Sequence, residues 1–415
     1  MAYMFYNCEN MQSLLFYSFD TGNVKDMSYM FANMQSIENL YFTNFKINSL
    51  ENMQGMFKSC TSLKELSLSS FEKNQLKNME EAFSGCKSLT SLNINYLVTS
   101  EVKSMYKLFY NCNNLESLDL TSHSFNTANV INMESMFDSC WKLKSIDVSN
   151  FDTSKVTTME RMFYACQNVE SIIVSSSFQT DNVIKFTSMY NGCRKMKVFN
   201  LGYFRTEKAE DMSLMFNDCK SMTMIDISGF VTYNVKSFAH MFAGCEKLVD
   251  VYFNFDASKA VDLSYLFFGC VSLEKIYMYS LITTNYINID YMFYNCKSLK
   301  FIDFGTNNFE INSMVHAFHG CSNLTDIDFV NFDVREVTSM QGLFYGCKSL
   351  YSLNLRSFHT TKCLSFDDMF AECSEMNVTI YAASNANLIA AAPSYINFLQ
   401  MMRLKKMNMT FLLDE

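Results

Sequence analysis

Cysteine recurs along this chain every 25 to 28 residues: Cys60, Cys86, Cys112, Cys140, Cys166, Cys193, Cys219, Cys245, Cys270, Cys296, Cys321, Cys347 and Cys373. Cys8 opens the column, Met34 stands in it once, and of the fifteen cysteines only Cys363 lies outside it. A fixed period of this length constrains the fold more than any composition could. It describes a solenoid, in which each repeat buries its apolar face only against its neighbours.

Counting from the cysteine defines the unit. Three residues before it stands an aromatic in every copy, Phe in fourteen and Tyr190 in one. Methionine dominates four and seven residues before it, and those two columns hold twenty of the 31 methionines. Leu, Ile, Val or Phe follow it at three, six and eight, as in Leu143, Ile146 and Val148.

Two hydrophobic periods alternate within this unit. After the cysteine, apolar Ile146 and Val148 alternate with Ser145, Asp147 and Ser149, a period of two that predicts a short half-buried strand. Before it, Val156, Met159, Met162 and Phe163 fall three or four apart, one stripe of a short helical turn. The residue directly before the cysteine is Gly, Asn, Asp or Ser in most copies, such as Gly85, Asn111, Ser139 and Asp218. Those types tolerate a left-handed backbone, so the position reads as the end of the helical turn.

The stretch from Leu143 to Cys166, LKSIDVSNFDTSKVTTMERMFYAC, resembles the repeat of BspA-like leucine-rich-repeat surface proteins, and the resemblance runs to about Met376. Periodicity and resemblance together lead to an α/β repeat solenoid. It is expected to be a leucine-rich-repeat-like, right-handed stack of about 15 coils of 26 residues, each a short parallel strand plus a short helical turn. Residues 1–376 form the solenoid in this reading, 377–399 a C-terminal cap with a helix over 385–392 closed by Pro393, and 400–415 a tail. The N-terminus opens inside a repeat with no strand before it, as expected of a truncated or uncapped first coil. The resemblance also implies a cell-surface or secreted protein that binds a partner, although no signal segment is visible.

Composition removes several function classes. With 49% hydrophobic and 18% charged residues the chain can build a core, and it has no apolar run of bilayer length. A net charge of −9 argues against nucleic acid, which calls for clustered Lys and Arg. Stacked thiols would lie side by side with parallel Cα–Cβ bonds, the wrong geometry for a disulfide. A ladder of buried thiols is expected instead. No CxxC, HExxH, GxSxG or phosphate-binding loop occurs. His316 and His319 form an HxxH without a third ligand close in sequence, and His123, His240 and His359 stand alone as expected solvated turn residues. No catalytic residue, cofactor or metal site is therefore expected.

The outward strand face remains. Seven residues after the cysteine it carries mostly Asp, Asn and Ser, but Tyr252 and Tyr277 there, with Tyr279 two positions on, gather aromatics between Asp226 and Asp303. Exposed aromatics bury large area at small entropic cost while keeping a polar tip. These five residues are the expected contact site for a protein or glycan partner in a non-enzymatic binding or adhesion module. An intracellular interaction scaffold is one alternative. A polysaccharide-active solenoid enzyme is another, which should gather carboxylates and bases at one level, whereas only Arg356 interrupts this face as a base.

Overall fold

The structure, a computed structural model, describes residues 1–373 except 17–19, 43–44, 72–73, 280, 356–357 and 359–361, together with 377–382 and 408–413. The chain divides into two compact units, Met1–Lys208 and Ala209–Glu415. Each is a leucine-rich-repeat-like parallel β-solenoid with turns of about 26 residues.

The first unit carries β1 (Asn39–Tyr41), β2 (Glu65–Ser67), β3 (Ser91–Asn93), β4 (Ser117–Asp119), β5 (Ser145–Asp147) and β6 (Ser171–Ile173). Each is three residues long, because only the middle one points inward before the chain turns away. Leu40 faces Leu66, Leu92 faces Leu118 and Ile146 faces Ile172 across parallel pairs in register. In the second unit the corresponding strands are β7 (Met224–Ile227), β8 (Asp250–Phe253), β9 (Lys275–Tyr277), β11 (Phe301–Asp303), β13 (Asp326–Asp328) and β15 (Ser352–Asn354). There β7 pairs with β8, β9 with β11 and β13 with β15, all parallel. β10 (Ile287–Asn288), β12 (Phe309–Ser313) and β14 (Phe332–Asp333) make a further parallel sheet in this unit. β16 (Asn377–Ala382) continues from β15, and β17 (Asn408–Leu413) pairs parallel with β16 inside the segment expected to be a tail. The expected cap helix at 385–392 and the segment 395–399 lie outside the described residues.

No helix forms among the described residues, which corrects the expected helical turn. The reason lies in the backbone five residues before each cysteine, which takes a positive φ just as the one directly before it does. Gly55 and Ser59 do so at 56° and 58°, Glu81 and Gly85 at 55° and 77°, and Arg161 and Ala165 at 54° and 52°. A left-handed residue every fourth position breaks the helix into consecutive β-turns; those closing on Met56 and Cys60 have φ > 0 at the third residue, and the turn from Gly55 to Lys58 links them. Met56 N–H donates to Met53 O (3.1 Å), Lys58 N–H to Gly55 O (3.0 Å) and Cys60 N–H to Phe57 O (3.2 Å). The alternate amides reach the next coil instead: Met53 to Asn78 O, Gly55 to Glu80 O, Phe57 to Ala82 O and Ser59 to Ser84 O, at 2.7–2.9 Å. Apolar residues three and four apart face one way in either arrangement, so the spacing could not tell them apart.

The expected count of 15 coils is also reduced, to about 11 regular turns. The copy that begins at Cys193, for example, forms no strand over 197–200. In that copy Phe199 stands where the regular copies carry an aliphatic residue between the two outward ones.

The core is the set of periodic columns. Met27, Met30, Phe31, Met53, Met56, Phe57, Cys60 and Leu63 are all fully buried, and later copies repeat them. Phe31, Phe57, Phe83 and Phe109 stack on one another with ring centroids 5.7 Å apart and planes within 8°. In the second unit Phe242, Phe267, Phe293 and Phe318 do the same at 5.4–5.6 Å. No described helix is long and apolar enough to cross a membrane.

Candidate binding face

The cysteines are thiols rather than disulfides. From Cys60 onward, thiols of the column reach back one coil: Cys60 Sγ donates to Phe31 O (3.1 Å), Cys86 to Phe57 O (3.2 Å), Cys112 to Phe83 O (3.1 Å) and Cys347 to Phe318 O (3.1 Å). The phenylalanine carbonyl thus takes two bonds, one from the cysteine amide of its own coil and one from the thiol of the next. Burial pushes the thiols up, Cys60 and Cys112 to about 12, so they are neither nucleophiles nor metal-binding thiolates near neutrality. Among the described residues no group of three His, Cys, Asp or Glu could hold a metal ion.

Residues flanking each inward strand position point out. Asp226 on β7 pairs in register with Tyr252 on β8, and Tyr277 on β9 pairs with Asp303 on β11. Tyr252, Tyr277 and Tyr279 are 53%, 49% and 63% exposed. The Tyr277 ring lies 6.3 Å from Tyr279 and 6.0 Å from Phe301, tilted by 58° and 61°. Tilting leaves ring faces open to solvent. Tyr252 makes no ring contact with this trio among the described residues.

Phe301 escaped the sequence reading. It sits five after its cysteine, where Ser91, Ser117, Ser145 and Ser171 stand in other copies, and that departure was the available signal. Gly305 supports the same patch from behind. Its φ is 67°, and a Cβ there would lie 2.7 Å from Tyr279 Cβ and 2.8 Å from its Cα. Elsewhere on this face tyrosine hydroxyls are taken up locally, Tyr41 by Glu65 (3.2 Å) and Tyr351 by Asp326 (3.3 Å). Among the described residues nothing takes up those of Tyr252, Tyr277 and Tyr279.

The aspartates have a second employment. Asp226 Oδ1 accepts from Ser228 N–H (3.0 Å) and Ser228 Oγ–H (2.7 Å), and Asp303 Oδ1 accepts from Gly305 N–H (2.8 Å). Asp147 and Asp328 bond the amide two residues on in the same way. Where the column holds Asp, it closes the turn after the strand, and the Ser228 bonds hold the Asp226 carboxyl below the usual range. Trp141 is exposed; of the histidines expected to be solvated, His123 is exposed, but His240 is half-buried, stacked on Tyr265 at 4.3 Å and lowered in pKa by that burial. Arg356 and His359 lie outside the described residues.

The family described as "Mycoplasma protein of unknown function, DUF285" matches residues 1–123, 77–198, 171–279, 210–311 and 287–397 in overlapping segments. The chain belongs to this DUF285 family. Among solved structures it is similar to a leucine-rich repeat protein from Bacteroides ovatus, at 17% identity over 91% of this chain and 92% of that one, with a TM-score of 0.52. A leucine-rich repeat protein from Eubacterium ventriosum (16% identity, 75% and 83% coverage, TM-score 0.31) and an internalin from Listeria monocytogenes (17%, 78% and 80%, 0.27) also match. No curated protein matches the sequence. The first of these structures supports the leucine-rich-repeat fold and nothing beyond it; the DUF285 segments overlap along the chain as the repeat does.

Proposed function

We propose that this DUF285 protein is a non-enzymatic binding module that recognises a protein or glycan through the outward strand face of its second unit. Tyr277 and Tyr279 are the centre of that contact, with Tyr252, Asp226 and Asp303 around them. The observation that carries this reading is the tilted cluster of Tyr277, Tyr279 and Phe301, which gathers three exposed rings at one place while the repeat's phenylalanine column is packed in the core. Rigid rings with few rotatable bonds are the usual anchors of interfaces. The carboxylates argue against a solenoid enzyme, because Asp226, Asp303 and Asp328 are each engaged in closing the turn after their own strand.

The BspA-like resemblance supports placement at the cell surface or in the secreted fraction, and a right-handed winding agrees with the handedness of parallel crossovers. We keep the division into a solenoid over 1–376, a cap over 377–399 and a tail over 400–415 as part of the same proposal. The test uses printed panels of extracellular proteins and of glycans, probed with the full chain and with its Tyr252→Ser/Tyr277→Ser/Tyr279→Ser variant. Signals of the wild type should fall at least tenfold in the variant, while the melting temperature moves by no more than about 2 °C, as expected for exposed positions. Undiminished signals would remove the tyrosines from the site.

A further inference from the structure

A second set of rings lies on the turn side of the second unit, away from the strand face. His319 is sandwiched between Tyr294 and Tyr345 of the coils before and after it, with centroids 4.4 Å away on both sides and planes 15° and 3° from parallel. His316, five residues before its cysteine, leans on Tyr291 at 5.0 Å. On its other side a Cβ at Gly342 would collide with the His316 imidazole, so the ring lies over bare backbone of the next coil. Ring faces here are consumed by neighbours, unlike those of Tyr277 and Tyr279, which argues against a glycan platform.

The two imidazoles meet edge on. His316 Nδ1 and His319 Nδ1 are 3.1 Å apart, a hydrogen bond in which one nitrogen must donate and the other accept. That bond survives the first proton taken up by the pair, since one Nδ1 can still present a lone pair. It cannot survive the second, which sets two N–H groups against each other at contact distance. His316 also holds a left-handed backbone, φ 54°, a conformation costly for a residue with a Cβ and kept only by what surrounds it.

We propose that the His316–His319 pair is an acid-sensitive clasp within one coil, stacked against the rings of its neighbours, which opens the turn side of the second unit when both imidazoles are protonated. The tyrosine faces above and below can hold one charge by cation–π attraction; they do not relieve two facing donors. Burial first, and then the charge of His316, pull His319 down to about 4. Tyr291 and Tyr294 on the preceding coil and Tyr345 on the following one face the pair with their rings. Asp290 on the preceding coil is engaged by Ser313 Oγ–H and Val315 N–H, both at 2.6 Å. The charge acting on His319 is thus that of its partner.

The direction follows from linkage. An unfolded histidine takes its proton near pH 6.5, while folded His319 waits until about pH 4. The unfolded or opened state therefore binds more protons between those values. Stability contributed at His319 is complete above about pH 6.5 and is lost progressively as pH falls toward 4.

The experiment compares the full chain with His319→Tyr, which copies Tyr294 and Tyr345, and with His316→Gly, which copies Gly342. Melting temperature is followed from pH 7.5 to 4.5, together with hydrogen exchange of the segment 291–345. Wild type should lose several degrees more than either variant between pH 7 and 5, with exchange in that segment at least tenfold faster after correction for intrinsic rate. Parallel melting curves for wild type and a folded variant overturn the proposal. Should neither variant fold, a histidine NMR titration of wild type decides: a His319 midpoint near 6.5 overturns the clasp, and one below about 5 supports it.

Discussion

The buried thiol column links each coil to the one before it. A cysteine is small enough for the narrow layer between stacked phenylalanines and still brings a weak donor, so it satisfies the second lone pair of a buried carbonyl that alanine would leave unmet. Replacing Cys166, whose thiol reaches Phe137 O at 3.1 Å, by Ala should cost about 1–2 kcal/mol in a urea titration, from a small cavity and a lost bond together. The raised thiol pKa values carry a pH signature with the opposite sense to the histidine clasp. An unfolded thiol ionises near 8.5, whereas folded Cys60 and Cys112 hold their protons to about 12. Stability is thus complete below about pH 8.5 and should fall steeply as pH rises toward 12, since several thiols contribute at once. Melting temperatures between pH 8 and 11 check this, and native thiols should resist alkylation until urea is added. At Gly305, an alanine meets both a positive φ and the Tyr279 backbone. It should cost about 1–2 kcal/mol and weaken any partner that binds at Tyr279.

Between residue and coil, the run of turns before each cysteine is the element where sequence reasoning and structure part. The sequence correctly marked the residue before the cysteine as left-handed, because Gly85, Gly192, Gly244 and Asn295 carry the chemistry of that conformation. Five residues before the cysteine Gly55 and Gly342 carry such a sign, but Glu81, Arg161, Leu214 and Tyr265 hold φ of 54–59° there without one. Even the start of the run imitates a helix: Asn52, Asn78 and Asn132 each accept from the amide two residues on, at 2.8–3.1 Å, as an N-cap would. What keeps non-glycine residues left-handed is the bond from each such amide to the adjacent coil, which no single coil can supply. Removing the side chain at one of these positions should accordingly help. Ser188, φ 57° and buried, makes no side-chain hydrogen bond among the described residues, and Ser188→Gly should raise stability by about 0.5–1 kcal/mol, read as a shift of the urea midpoint.

For the molecule as a whole, contacts within each unit are made to the same coil or the next, so disturbance should stay local. Cys166→Ala should speed hydrogen exchange over 137–193 and leave 291–345 unchanged. Ion pairs such as Lys77–Glu51 (2.7 Å), Lys236–Glu210 (2.7 Å) and Lys300–Glu274 (2.9 Å) link successive coils on the exposed surface. Pairs of this kind contribute little, and 1 M salt should move the melting temperature only slightly. The sequence by itself determined the repeat length, the buried columns, the strand positions and the outward register of Tyr252, Tyr277 and Tyr279, because each follows from a periodicity readable along one chain. Only the tertiary structure decided that the second segment is a ladder of turns, that thiols bond carbonyls, that Asp226 and Asp303 close turns, that Phe301 joins the tyrosines and that His316 meets His319. The aspartates bond amides only two residues on, but an Asp on a strand face reads equally well as a solvated side chain. The ladder, the thiol bonds and the Phe301 contact depend on hydrogen bonds and ring contacts between residues about 26 apart, and His316 meets His319 on a backbone twist that such bonds impose, so local pattern carries no record of them.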